Sequence, residues 1–371
     1  MPIPTDHPDR PIAWFGPHLS GGELDRLRGV LDRQYVNDGP LTREFERRIA
    51  AFVGTRHAIA VTSGTSAIAL ALMAADIGPG DEVMVPDLTF IATANAVRLA
   101  GATVKLVEVE PLRFGIDADA VEAAIGPRTR ALITVDVNGR GADYSRLEPI
   151  CDKVGIALIC DAAEALGSRF AGRMLGSFGL AGCFSFSANK TITAGQGGMI
   201  VTDSDALHDR LRELKDQGRR RGGTGGDDDH PALGFNFKFT DLQAAVALAQ
   251  FDEIESRLAA ATRRDHAYAE RLANQPGLRL PPFSETGEVR QWTDVLIEDR
   301  SGVAAALNAA EIGHRSFWHP LHRQVPYRMD DRGFAHSIDV SRRGLWLASR
   351  LDMTDSDINR VSEAVVAALR R

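Results

Sequence analysis

Only three cysteines occur, Cys151, Cys160 and Cys183, and no two of them make a C-x-x-C pair. A disulfide framework is therefore excluded. Cys160 and Cys183 sit inside apolar runs, as small core residues of a reduced protein would. Excess positive charge is also missing: 43 lysines and arginines stand against 50 aspartates and glutamates, a net charge of −7. No surface for nucleic acid or anionic lipid is implied. No apolar run approaches the ~20 residues of a membrane-crossing helix. The opening Met1-PIPTDHPDRP has prolines and acids where a secretory signal carries basic and then apolar residues. These absences predict a cytoplasmic protein with neither nucleic acid nor membrane as partner. There is no internal repeat, no H-E-x-x-H metal motif, and no G-x-G-x-x-G in a first βα turn.

What is present is length and apolar content enough for two domains, with 371 residues of which 44% are hydrophobic. After an irregular, proline-rich start, Ser20 is placed to cap a helix over residues 23–34 with Leu24, Leu27, Val30 and Leu31 on one face. A second amphipathic helix buries Phe45, Ile49 and Phe52 and stops at Gly54. Short apolar runs (Ala58-IAV, Glu82-VMVP, Ala102-TVKLV, Ala131-LITV, Gly155-IALIC) then alternate with helical stretches. That alternation predicts a mostly parallel sheet covered by helices on both faces. A long helix capped by Thr240 and running toward Leu272 marks the domain junction, giving a large domain over 1–249 and a smaller α+β domain over 250–371. Thr354-DSDI supplies a capping box for the last helix.

The chemistry concentrates between Asp161 and Gly198. Asp161 ends a buried apolar run, and Lys190 follows a second short run, Cys183-FSF, ahead of a glycine-broken turn, Gly195-QGG. A carboxylate at one strand end and a lysine past another suit pyridoxal phosphate. The lysine would form a Schiff base with the aldehyde, and the acid would keep the pyridine nitrogen protonated. Either residue alone reads more simply as a turn acid or a surface lysine. Likewise Thr62-SGTSAIALAL is a Ser/Thr-capped helix start, able to offer amides to a phosphate or merely to cap itself.

Asp161-AAEA, Phe184-SFSANK and Gly195-QGGM together resemble the DegT/StrS type of sugar aminotransferase, and the similarity extends along nearly the whole chain. The resemblance implies the aspartate aminotransferase fold (fold type I), with a seven-stranded, mostly parallel sheet in the large domain. It implies pyridoxal 5′-phosphate as cofactor, with pyridoxamine 5′-phosphate between half-reactions. Lys190 and Asp161 would be catalytic. Gly64, Thr65, Ser66 and Ser185 would hold the phosphate, Phe90 would stack on the ring, and Glu164 would lie near its phenolic oxygen. Gly234-FNFKF resembles a segment that reaches a neighbouring subunit's phosphate, which implies a homodimer with shared sites through Asn236 and Lys238. Here a lysine stands where the family usually has arginine, so the charge stays and the bidentate fork is lost. Glu164 and Gln196 also depart from the commonest residues. No role is assigned to Asn138 or Arg140.

Trp318-HPLHRQVPY resembles a segment lining the substrate side, so His322 and His319 are substrate-binding candidates; no metal is expected there. The loop 218–230, GRRRGGTGGDDDH, reads either as a solvated loop or as a substrate loop in which Arg219 and its two successors meet a diphosphate. The function expected is transfer of an amino group from glutamate to a keto-sugar, of the nucleotide-linked 4-keto-6-deoxy kind. A keto-cyclitol acceptor and a catalytically silent regulator on the same fold are the alternatives.

Overall fold

In the computed structural model, which describes residues 10–219, 229–283 and 287–371, the alternating apolar runs pair into one central sheet. Its first strands are β1 (His57–Val61), β2 (Glu82–Pro86), β3 (Thr103–Val107), β4 (Thr129–Val135) and β5 (Ala157–Asp161). A hairpin of β6 (Arg169–Phe170) and β7 (Arg173–Met174) intervenes before β8 (Ala181–Ser185) and β9 (Gly198–Thr202). The order across the seven-stranded sheet is β1-β9-β8-β5-β4-β2-β3. From β8 to β3 every neighbour pairs in parallel, whereas β9 runs antiparallel to both β1 and β8. The fold-class expectation holds, with the reversed β9 inserted by the glycine turn that precedes it.

Helices α1 (Gly22–Asp32), α2 (Pro40–Val53), α3 (Gly64–Ala74), α4 (Ala92–Leu99), α5 (Ala118–Ala124), α6 (Tyr144–Val154), α7 (Asp205–Lys215), α8 (Asp241–Asp252) and α9 (Ile254–Leu272) cover and extend this sheet. Because successive strand residues point to opposite faces, each strand feeds two cores. Ala58, Ala60, Leu158 and Cys160 join Phe45, Ile49 and Phe239 on one face. Ile59, Val61 and Ile159 join Leu70, Val97 and Leu211 on the other. The strands inside edge strand β3 therefore lack a solvent side, which is why they read as continuous apolar runs, while β3 keeps Thr103 exposed and Lys105 partly so.

Two local expectations are corrected. Ser20 does not cap α1: Gly21 is the N-cap, and Glu23 reaches back to accept from Gly21 N at 2.9 Å. Of the predicted face of α1, Val30 is fully buried but Leu24 and Leu31 are 61% and 59% exposed. The predicted long helix is broken at Glu253, whose φ/ψ of −103/13 separates α8 from α9. Thr240 does cap α8, in a capping box with Gln243.

Beyond α9 a second sheet forms from β10 (Leu278–Arg279), β11 (Asp294–Ile297), β12 (Arg315–Ser316) and β13 (Gly344–Trp346), antiparallel throughout in the order β10-β11-β13-β12. Helices α10 (Arg300–Ala309), α11 (Ala335–Arg343) and α12 (Asp355–Leu369) accompany it, the last capped by Thr354 with Asp357. Ile12 forms a bridge with Ile312, so the chain start lies against this smaller unit. Arg140, just past β4, pairs with Asp294 of β11 at 2.5 Å with both side chains fully buried. That pair locks the two units together beside the site. Among the described residues no helix is long and apolar enough to cross a membrane.

Candidate active site

The carboxyl ends of β4, β5 and β8 open onto a cavity of about 390 Å³. Its near side is the start of α3. Ser63 caps this helix by accepting from Ser66 N, and Ser66 Oγ in turn accepts from Ser63 N at 3.0 Å. Ser66 is thereby consumed in a buried capping box, while Ser63, Gly64 and Thr65 line the cavity. The structure thus puts Ser63, rather than the predicted Ser66, on the open side. The first two amides of the helix, those of Gly64 and Thr65, have no intrahelical acceptor and carry the positive end of the helix dipole. Glycine at 64 follows from Ser185, whose Cβ would stand 3.0 Å from any Cβ added there. The neighbouring turn is tighter still: a Cβ on Gly198 would sit 2.2 Å from Ser63 O, and one on Gly197 2.6 Å from Phe239. Glycines therefore set this turn, and Gln196 contributes its carbonyl to Gln243 Nε2 at 2.7 Å.

Asp161 sits at the end of β5, nearly inaccessible, with both carboxylate oxygens fixed. Thr93 Oγ1 donates to Oδ2 at 2.7 Å and Ala163 N donates to Oδ1 at 3.1 Å. Burial pushes its pKa up to about 6, with Glu164 adding to the rise and the two hydrogen bonds opposing it. Lys190 follows in a turn closed by its own N–H to Ser187 O. Its Nζ stands 3.3 Å from Glu164 Oε1 and 5.1 Å above the Trp292 ring. Glu164 Oε2 also accepts from Asn138 N at 3.1 Å, so the acid bridges the lysine to the backbone after β4. Phe90, half exposed, lines the same cavity beside Thr93.

Gly64, Thr65, Phe90, Asp161, Glu164, Ser185 and Lys190 are thus brought to one cavity. Other candidates stand elsewhere. Lys238 Nζ pairs with Asp216 at 2.8 Å, and Asn236 makes a backbone bridge to Asp216, so neither belongs to the lining of its own chain's cavity. His322 is fully buried: Nδ1 meets Asp87 at 2.7 Å, Nε2 meets Asp331 at 3.1 Å, and the ring stacks on Phe334. Both nitrogens are occupied, and the residue lies outside the cavity lining. His319 is exposed and outside the lining, which takes its neighbour Trp318 instead. Arg219 is described, at the end of the α7 segment, but residues 220–228, on which the substrate-loop expectation rests, lie outside the described residues.

Sequence reasoning passed over Thr93, Trp292 and Arg315, and in the Trp318-HPLHRQVPY segment it singled out the histidines rather than Trp318. Thr93 stands one helical turn past Thr89, with the hydroxyls 3.2 Å apart, a spacing visible in the sequence. The other three arrive from the second sheet and its flanks, and only the packing of the two units puts them at the cavity.

The residues fit pyridoxal phosphate on their own chemistry. A buried carboxylate whose pKa is raised is stabilised by a cation placed against it, as a protonated ring nitrogen would be. The open amides of Gly64 and Thr65, with the hydroxyls of Ser63 and Ser185, suit a phosphate. Lys190 supplies the amine for an aldehyde, and Phe90 offers a ring face.

The DegT/DnrJ/EryC1/StrS aminotransferase family matches residues 17–366. The GDP-perosamine synthase of Caulobacter vibrioides is 38% identical over 369 residues, covering 95% of this chain and 97% of that protein. DesV of S. venezuelae, solved in complex with a ketimine intermediate, superposes with a TM-score of 0.90 at 32% identity, covering 94% of both chains. DesI, solved in the presence of its TDP-sugar product, gives 0.89 at 32% identity over 98% of this chain and 94% of that one.

Proposed function

We propose that this chain, which belongs to the DegT/DnrJ/EryC1/StrS aminotransferase family, moves an amino group from glutamate onto a nucleotide-linked 4-keto-6-deoxy sugar. The observation carrying this reading is that Lys190 and Asp161 face one cavity whose near side is the open start of α3. Pyridoxal 5′-phosphate, once bound, supplies an aldehyde that captures amines and a ring that draws electrons from the adjoining carbon. The chain does the rest. Gly64, Thr65, Ser63 and Ser185, which line the cavity, would hold the phosphate, and Phe90 would offer its face to the ring. Asp161, positioned by Thr93 and Ala163 N, keeps the ring nitrogen protonated. Lys190 would hold and move the proton at the donor's carbon in the first half-reaction and at the sugar carbon in the second. Trp292 and Trp318 exclude water from that transfer.

The acceptor class is supported by the relatives: one at 38% identity is named for a GDP-linked amino sugar, and DesI is described with a TDP-sugar. The guanosine-linked acceptor is the first to test. The active unit is a homodimer, with Asn236 and Lys238 of one protomer supporting the phosphate held by the other. Two features support that arrangement: both residues lie away from their own cavity, and Leu24 and Leu31 leave an apolar stripe on α1 without an intrachain cover. Nucleotide-activated substrates also support a cytoplasmic setting, and the separate antiparallel sheet beyond α9 supports a division into a cofactor-holding domain over 1–249 and a smaller one over 250–371.

The experiment is a single-turnover assay of the pyridoxamine form against GDP- and TDP-linked 4-keto-6-deoxy sugars. Return of the pyridoxal absorbance with one of them, together with an aminated product, is expected. A protein that turns over glutamate but restores no absorbance with either sugar contradicts the acceptor; keto-cyclitols would then be tried.

A further inference from the structure

Among the described residues two groups meet the amine of Lys190: Glu164, with Oε1 at 3.3 Å, and the ring of Trp292, 5.1 Å away. They come from different units, since Glu164 follows β5 and Trp292 precedes β11. Both are held by one residue, Asn138, in the turn after β4. Its backbone N–H donates to Oε2 of Glu164 at 3.1 Å. Its side chain grips the backbone of Trp292 at both polar groups: Oδ1 accepts from Trp292 N at 2.6 Å, and Nδ2 donates to Trp292 O. Nδ2 also donates to Asp294 Oδ1 at 2.8 Å. Asn138 is fully buried and lies outside the cavity lining, so it acts on the lysine through these neighbours.

The position asks for asparagine on two counts. Its φ/ψ of 54/40 is left-handed, a conformation that asparagine tolerates better than most residues with a side chain. Its amide brings a donor and an acceptor together. Glycine would allow the turn but offer no amide. Aspartate would accept from Trp292 N yet oppose Trp292 O and Asp294 with a second set of lone pairs. The next residue, Gly139, lies so close to the facing segment that a Cβ there would stand 2.0 Å from Val289 O. That segment is clasped again at Val289, where Ser168 Oγ donates to Val289 O and accepts from Val289 N, both at 2.8 Å. The clasp at Val289 leads to the hairpin that begins at Arg169; the clasp at Trp292 leads to the amine of Lys190.

We propose that Asn138 is a positioning residue for Lys190, fixing from one turn both the carboxylate and the indole between which the amine stands. The inference rests on the aminotransferase reading given above for what the amine then does. A lysine side chain left to itself spreads over many rotamers. Held between Glu164 and Trp292, its amine stays at the cavity wall, where an aldehyde has to be met and a proton moved. Because the two supports belong to different units, docking of the second sheet reaches the lysine through this one side chain.

The test compares Asn138→Gly and Asn138→Asp with Ser168→Ala, which opens the other clasp on the same segment. Glycine keeps the left-handed turn and its N–H but drops the hold on Trp292; aspartate sets a carboxylate against Asp294. In the first arm, cofactor-free protein is acetylated with a trace of acetic anhydride. Peptide mass spectrometry reads the extent at Lys190, whose side chain is 12% exposed, against Lys153, at 77%. Labelling of Lys190 is expected to rise about 3- to 10-fold in both Asn138 variants, the change that follows loss of a hydrogen bond holding the wall. Ser168→Ala should leave it at the parental value. In the second arm, pyridoxal phosphate is added and its borohydride-fixed attachment to Lys190 is followed in time. Attachment should slow by about tenfold in Asn138→Gly and keep its rate in Ser168→Ala. Parental labelling and attachment in the Asn138 variants overturn the proposal. Equal changes in Ser168→Ala overturn it too, since Asn138 would then only help to join the units. Should either Asn138 variant fail to fold, the other carries the comparison. If the parent protein attaches no pyridoxal phosphate, the functional reading falls, while the acetylation arm still decides whether Asn138 positions Lys190.

Discussion

Thr93 Oγ1 donates to Asp161 Oδ2 at 2.7 Å, tying the first turn of α4 to the end of β5. Both groups are buried, so the bond works at low polarity, where it favours the ionised acid. Thr93→Val keeps the shape and removes the donor. We expect the Asp161 pKa to climb further and kcat near neutral pH to fall about tenfold or more, the effect of losing a hydrogen bond to a charged group. The pH profile of kcat should shift upward in Thr93→Val; an unmoved profile would remove this role from Thr93.

Asp161 also gives the cofactor-free protein a pH signature. Its pKa in the folded chain is raised to about 6 from an ordinary 3.8, mainly by burial. A raised acid contributes stability that is fully present below the unfolded value and is lost as pH rises through the folded one. The apoprotein should therefore lose stability between pH ~4 and ~6, on the order of 2–3 kcal/mol. A protonated ring nitrogen reverses the preference, so cofactor affinity should rise as pH climbs through about 6. Asp161→Asn should flatten both trends. Denaturant titrations of apoprotein and cofactor titrations across that window check each sign; equal pH dependence in the variant contradicts the assignment.

The parts of this site legible in the sequence are those where chemistry fixes residue type at a sheet end. Asp161, Lys190 and the glycines at 64, 197 and 198 are of this kind: each stands at or just past a strand end, where a side-chain role or a close backbone approach restricts the residue type. Ser66 was misplaced because a capping box needs two hydroxyls and the sequence does not say which one faces out. His322 was misplaced because its motif gives identity without orientation, and Asp87, far earlier in the chain, turns the ring inward. Arg315, Trp292 and Trp318 stayed hidden for a further reason. They reach the cavity through the docking of the second sheet, which no local pattern encodes. The exposed Leu24 and Leu31 show the converse: an apolar helical spacing visible in the sequence that finds no cover among the described residues of this chain.

The Arg140–Asp294 pair joins the two units, and Asn138 Nδ2 adds a second donor to Asp294 at 2.8 Å. Breaking a buried pair strands the remaining charge. Asp294→Asn is expected to lower unfolding free energy by about 3–5 kcal/mol and to reduce cofactor affinity as the wall carrying Trp292 loosens. Replacing both partners, Arg140→Met with Asp294→Leu, should recover part of the loss. Chemical denaturation of the two variants beside the parent measures this; an Asp294→Asn variant as stable as the parent contradicts it.

Sharing of sites across a homodimer is open to complementation. Lys190→Ala chains and chains carrying Asn236→Ala with Lys238→Ala are each expected to be inactive. Dissociated and reassembled together, they should regain up to about a quarter of parental activity, since a randomly mixed population places one intact site in each heterodimer. Heterodimers that form and stay inactive would place Asn236 and Lys238 outside the partner's site.

The central claim is that Lys190 carries the cofactor. Reconstituted protein should be yellow, and borohydride reduction followed by peptide mapping should leave the pyridoxyl group on the Lys190 peptide, with Lys190→Ala taking up cofactor yet retaining no label. Label on another lysine, or a colourless protein that still transaminates, would contradict it.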